Sequence, residues 1–202
     1  VIADCTALVL AGGKSRRMGQ DKAQLVVADA TLLQRVVAIV RPLFANVVVS
    51  VDKLRPEIGL PQVCDEHENA GPLAGLAAGL AHATTPWVFA IATDMPFARP
   101  TVIEALAQRR NDFDAVIPVA GGHAQPLLGL YSRTCLPAIR NLLASEGRRS
   151  LHALLEQLNV CYVDESEMRM SDPELASFFD LDTPEDLALA KQRQPFSMKE
   201  KS

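Results

Sequence analysis

The chain of 202 residues has four cysteines, Cys5, Cys64, Cys135 and Cys161, and none belongs to a CxxC pair. Without that spacing a zinc-organised fold is not expected. The cysteines lie in or beside apolar segments, where reduced, buried thiols serve as small hydrophobes, and that usage suits the cytoplasm. No basic stretch followed by an apolar run opens the sequence, so a signal peptide is not expected. No apolar run approaches the roughly 20 residues that span a bilayer. The formal net charge is −4, which gives no bulk attraction to nucleic acid or to an anionic membrane. Internal repeats and low-complexity segments are missing. So are the two common phosphate loops: Gly13-Lys14-Ser15 lacks the glycine five residues earlier that the P-loop spacing requires, and GxGxxG does not occur. The four histidines, His67, His82, His123 and His152, have no ligand spacing. Ser15 has no His/Asp pattern that would make it an acyl-transfer nucleophile.

What is present is an ordinary globular composition, 49% hydrophobic and 22% charged. It predicts one domain over residues 1–194, with residues 195–202 as a polar, frayed end. Strand and helix patterns alternate. Apolar or β-branched runs predict strands ending at Ala11, over 46–51, 62–64, 87–93, 114–119 and 160–163, with a short one at 178–181. Helical spacing covers 31–44, 72–84, 100–110, 136–144, 150–158 and 183–192. Thr31 and Thr183 are placed to cap, and Pro72 and Pro184 suit first turns. Gly121-Gly122 turns the chain so that 126–131 returns antiparallel. The pattern predicts an α/β fold, Rossmann-like, with a mostly parallel sheet covered by helices on both faces. In such sheets ligands bind beyond the carboxyl ends of the strands. The segment after β-like residues 7–11, residues 50–52, Asp65 and Asp94 all follow strands directly and are expected to meet there.

The richest stretch is Leu10-Ala11-Gly12-Gly13-Lys14-Ser15-Arg16-Arg17-Met18-Gly19-Gln20-Asp21-Lys22. Two glycines leave a buried strand, where main-chain N–H groups are able to surround an anion. Four cations, Lys14, Arg16, Arg17 and Lys22, follow within nine residues. The combination suits a polyphosphate, although a glycine turn with solvated basic residues is an equally ordinary loop. Asp94 closes an apolar run in Thr93-Asp94-Met95-Pro96, where a carboxylate is able to hold Mg²⁺ against phosphate oxygens, or simply to cap a helix. Asp65 precedes Gly71-Pro72-Leu73-Ala74-Gly75 and stands among Glu66 and Glu68 as either a ligand or a solvated loop acid.

The sequence LAGGKSRRMGQDK resembles the signature of nucleotidyltransferases that attach a nucleoside monophosphate to a phosphorylated partner, and within them most resembles the molybdenum cofactor guanylyltransferases. The likeness runs from Leu8 to Leu187. It implies an enzyme that transfers GMP from GTP to molybdenum-loaded molybdopterin and releases pyrophosphate. Molybdoenzyme maturation proteins are the further partners it implies. By this resemblance Leu10, Ala11, Gly12, Gly13, Lys22, Ser50, Asp65, Gly71, Asp94 and Asp182 bind nucleotide. Lys22, Arg16 and Asp94 act in catalysis, and Asp94 carries Mg²⁺. Ser50 stands where the family often has asparagine. Asp180 and Asp182 replace asparagines and resemble the cytidylyltransferase relatives, which opens a second metal ligand at Asp182. Arg148 and Arg149 match later motifs expected to face the second substrate. The alternatives are a CTP-dependent molybdenum cofactor cytidylyltransferase, a non-catalytic nucleotide-binding module and a sugar-phosphate nucleotidyltransferase.

Overall fold

Six consecutive residues without an exposed side chain, Cys5–Leu10, form β1 at the middle of the sheet. Such a strand has no solvent face, so it must be flanked by strands and covered above and below. The computed structural model describes residues 1–12, 22–27, 29–64 and 71–192, with the side chain of Lys22 outside that description. In chain order β1 is followed by a small hairpin, β2 (Val26–Val27) and β3 (Ala30–Thr31), then α1 (Leu32–Val40), β4 (Asn46–Val51) and β5 (Gln62–Cys64). Next come α2 (Pro72–His82), β6 (Trp87–Ala92), α3 (Pro100–Ala107), β7 (Ala115–Ala120), β8 (His123–Ala124) and β9 (Leu128–Ser132). The chain continues through α4 (Leu136–Ala144), α5 (Leu151–Leu155), β10 (Val160–Val163), α6 (Glu165–Ser171) and α7 (Pro184–Gln192).

The sheet order is β10-β7-β9-β6-β1-β4-β5, with β8 paired to β7. β1 is parallel to β4 and β6, β4 to β5, and β7 to β10. β9 runs against both of its neighbours, β6 and β7. Consequently β5, β4, β1, β6, β7 and β10 all end at one edge. Alternation along β1 divides the core. Ala7 and Val9 pack with α1, α3 and α6, whereas Leu8 and Leu10 pack with α2, α4 and α5. Burying a leucine such as Leu8, fully inaccessible, contributes about 2–3 kcal/mol, so each face is held by apolar area rather than by polar contacts. A third, small cluster joins Val27, Leu32, Leu181 and Ala190, which seats α7 and the chain before it on the β2–β3 hairpin.

The structure departs from the sequence pattern in several places. The helix predicted over 31–44 stops at Val40, because Pro42 has no N–H to continue the ladder. Residues 178–181 are not a strand: Ala176–Phe178 is a 3₁₀ turn, and the amides of Ser177 and Leu181 donate to Asp172 and Asp94 rather than to a neighbouring strand. α6 has no apolar periodicity, since Met168 alone of its residues is buried, and its pattern was illegible. Cys64 is exposed rather than buried because it ends the edge strand β5, while Cys161 is half-buried and Cys5 and Cys135 are buried as expected. Burial pushes the thiols of Cys5 and Cys135 up to about 12, which keeps them protonated and inert. Among the described residues no helix is long and apolar enough to cross a membrane. Residues 195–202 lie outside the described residues.

Candidate active site

The carboxyl edge is held together by main-chain bonds that run one residue past the strand ends. Ala11 N–H donates to the Ser50 carbonyl (2.9 Å), and Thr93 N–H donates to the Leu10 carbonyl (3.2 Å). Leu10 therefore stands level with Ser50 on one side and with Ala92 on the other. Gly12 leaves this edge against Asp52, where a Cβ would lie 2.5 Å from the carboxylate oxygen Oδ1. Asp52 is exposed, so its carboxylate end is able to swing aside, and the contact by itself does not demand glycine at position 12. The contact puts Asp52 at the edge, where residues 50–52 are expected from the strand pattern to meet the segment after β1. Gly13, Lys14, Arg16 and Asp65 lie outside the described residues.

Ser50 is 2% exposed and sits under α2. A Cβ on Gly75 would be 2.7 Å from Ser50 Oγ and 2.8 Å from a Leu10 methyl group, so the small residues of this helix let its main chain rest on the ends of β1 and β4. Gly71 opens α2 at φ 61° and ψ −150°, a conformation open essentially to glycine alone, and among the described residues no side chain caps the helix there.

Asp94 follows β6 and is half-buried. Its carbonyl accepts the Leu181 N–H (3.1 Å), which sets half-buried Asp182 beside it on the same edge. Asp186 holds that loop by accepting from Asp182 N–H (3.1 Å), Thr183 N–H (2.8 Å) and the Thr183 hydroxyl (2.8 Å). Thr183 Oγ1 in turn accepts from Asp186 N–H (3.1 Å), the reciprocal arrangement of a capping box. Asp180 is exposed. Lys22 begins a 3₁₀ turn, Lys22–Gln24, whose Ala23 is buried in the same cluster as Ala11 and Met95. The main chain of Lys22 is thereby brought to the face that carries Asp94.

The far side of the edge is made by the β7–β8 turn and the α4–α5 loop. Gly121 and Gly122 take φ 59° and 76°, which a hairpin turn of this kind requires. Gly121 N–H donates to Glu165 (2.7 Å), and that bond, with Arg169 behind it, holds the Glu165 carboxyl below its ordinary range. Because β9 runs back to the amino edge, α4 returns to the carboxyl edge and delivers residues 145–150 there. Arg148 and Arg149 are exposed in that loop, and Arg149 Nε donates to the Ser145 carbonyl (3.0 Å).

Asp94 and Asp182 offer hard oxygen donors, and among the described residues no group of three His, Cys, Asp or Glu side chains is arranged to hold a metal. An ion here must complete its shell with substrate oxygens and water. That donor set fits Mg²⁺, which keeps its waters and binds through one or two carboxylates plus phosphates.

Comparison with known proteins gives a coherent result. Residues 7–160 match the family model of the MobA-like NTP transferase domain. A relative from Pelotomaculum thermopropionicum is 35% identical over 189 residues, covering 92% of this chain and 91% of its own. Another from Chloroflexus aggregans is 34% identical over 194 residues, covering 92% and 93%. Both are named probable molybdenum cofactor guanylyltransferase. The crystal structure of molybdopterin-guanine dinucleotide biosynthesis protein A from Archaeoglobus fulgidus superposes with a TM-score of 0.83 at 30% identity, covering 93% of this chain and 97% of that one.

Proposed function

Since the chain belongs to the MobA-like NTP transferases, and within them to the molybdenum cofactor guanylyltransferases, we propose that it transfers GMP from GTP to molybdenum-loaded molybdopterin, with release of pyrophosphate. The observation that carries the site is the Leu181 N–H to Asp94 carbonyl bond, which brings Asp182 to Asp94 at the edge where β1 ends.

In this reading Leu10, Ala11 and Gly12 guide the nucleotide along the strand ends, and Gly13 is assigned with them to nucleotide binding. The Ser50 hydroxyl and Asp65 serve base or ribose, for which a carboxylate is a natural acceptor of the guanine N1–H and amino group. The start of α2 at Gly71 lets main chain approach the nucleotide without a side chain between. Lys22 and Arg16 are assigned to the triphosphate, where cations favour charge that moves onto pyrophosphate. Asp94, with Asp182 beside it, would hold Mg²⁺, which when bound supplies charge neutralisation on the phosphates. The acceptor phosphate is already an anion and attacks the α-phosphorus in line, so no protein nucleophile is needed and positioning does most of the work. Arg148 and Arg149 face the incoming pterin phosphate.

Pyrophosphate release from GTP and from CTP in competition, with molybdenum-loaded molybdopterin as acceptor, tests this reading. GTP should be preferred, and the dinucleotide should appear by mass spectrometry. Use of CTP at least as efficiently would replace guanylyl by cytidylyl transfer. Asp94→Ala should lower turnover about a thousand-fold. A protein that binds GTP with unchanged affinity and has no turnover in either form would instead be a binding module.

A further inference from the structure

Asp172 is wholly buried. A carboxylate removed from water must be hydrogen-bonded or paired, and this one is both. Its Oδ2 accepts from Ser177 N–H (2.7 Å) and from the Ser177 hydroxyl (2.7 Å). Its Oδ1 stands 2.9 Å from Arg99 Nε. The Ser177 hydroxyl also accepts from the Arg99 main-chain N–H (3.0 Å), so one serine ties together the carboxylate and the backbone at the start of α3. Winding the chain around Asp172 puts Leu175 at φ 52°, and it alone of the non-glycine residues described has positive φ. A leucine is held there only where its surroundings enforce it.

Both strands of chain that leave this cluster lead to the site. Asp94 is five residues before Arg99, and Asp182 is five residues after Ser177. Between them the rings of Phe97 and Phe179 meet edge to face at 5.8 Å, and at the far end Leu181 N–H reaches the Asp94 carbonyl. The two segments are thus joined at three levels: a buried polar cluster, an aromatic pair and a main-chain bond.

We propose that Arg99, Asp172 and Ser177 form a latch that positions the carboxylates of Asp94 and Asp182 for the metal–nucleotide complex. None of the three touches substrate; they are positioning residues. The proposal rests on the reading of that edge as a nucleotidyl-transfer site.

Ser177→Ala removes the bridging hydroxyl and keeps the Ser177 amide bond to Asp172. In this folded variant the Leu181 amide should exchange with deuterium about ten-fold faster, while amides of β1 are unchanged. Mn²⁺, used as a spectroscopic probe in the presence of GTP, should bind about ten-fold more weakly. Turnover should fall through kcat and the Mg²⁺ concentration for half-activity, with KM for the pterin unchanged. Asp172→Asn should act in the same direction and more strongly. Unchanged Leu181 exchange and unchanged Mn²⁺ affinity in folded Ser177→Ala protein would overturn the latch. If the wild-type protein transfers no nucleotide, the functional reading fails instead, and exchange and Mn²⁺ affinity still decide the latch.

Discussion

Helices α1 and α2 both start at the carboxyl edge of the sheet, on opposite faces, and their first turns are built differently. α1 is closed on itself. Thr31 Oγ1 accepts from Gln34 N–H (3.1 Å), and the Gln34 side chain accepts from Thr31 N–H (2.9 Å). Its buried face of Leu32, Leu33, Val36 and Val40 is an ordinary amphipathic stripe. α2 begins at a glycine, has no side-chain cap among the described residues, and carries further glycines where it meets β1 and β4. Each interior glycine costs about 1 kcal/mol of helix stability relative to alanine, and a glycine at the N-cap costs about a few tenths of a kcal/mol more relative to a capping side chain. The helix that borders the candidate nucleotide site is therefore the locally weaker one. Close packing on the sheet offsets that weakness, since the main chain of α2 at Gly75 rests directly on Ser50 and Leu10.

Gly79→Ala should break this contrast most severely. Its Cβ would meet the branched end of Leu8, with one methyl group at 2.7 Å and another closer still, and Leu8 is fully buried. Overpacking costs about 3 kcal/mol and the added helix propensity returns about 1, so a net loss of about 2 kcal/mol should appear in urea unfolding. Gly71→Ala should come next. The conformation at position 71 is hostile to any Cβ, and about 1–2 kcal/mol of stability should be lost. Because no atom of the described residues lies within 4 Å of that Cβ, the loss reflects backbone strain, and KM for GTP should rise as the turn shifts. Thr31→Ala sharpens the contrast from the other side: about 1 kcal/mol should be lost by the same unfolding measurement, with KM for GTP unchanged.

The smallest effect belongs to the amino edge. There Arg110 donates to Asp4 (2.7 Å) and lies 6.0 Å from the Trp87 ring centre. The Arg110 hydrogen bond holds the Asp4 carboxyl below its ordinary value of 3.8. A carboxyl lowered on folding stabilises the protein above that value, and the contribution disappears as pH falls through the lower folded value. Asp4→Asn should therefore reduce stability slightly at pH 7 and not at all in strong acid, as urea melts across pH would reveal. Since Asp4 is more than half exposed, the difference should be within the range of a surface pair.

Most elements were legible because their causes are local. The β-branched run of β4, the spacing of α4, the capping threonines of α1 and α7 and the Gly121-Gly122 turn each carry their signal within a few neighbouring residues. The sequence alone also determined that residues after β1, β4 and β6 share an edge, since alternating strands and helices leave few other arrangements. It did not reveal α6, whose stability comes from Met168 burial and its pairs with other elements, nor the irregular path of residues 172–182. That path depends on a buried carboxylate meeting an arginine and a serine from distant parts of the chain, and on Leu181 reaching Asp94 rather than a strand. Such contacts have no periodicity. Their free energy exists only once the sheet has brought the partners together and excluded water, so the placement of Asp182 beside Asp94 was a decision of the tertiary structure.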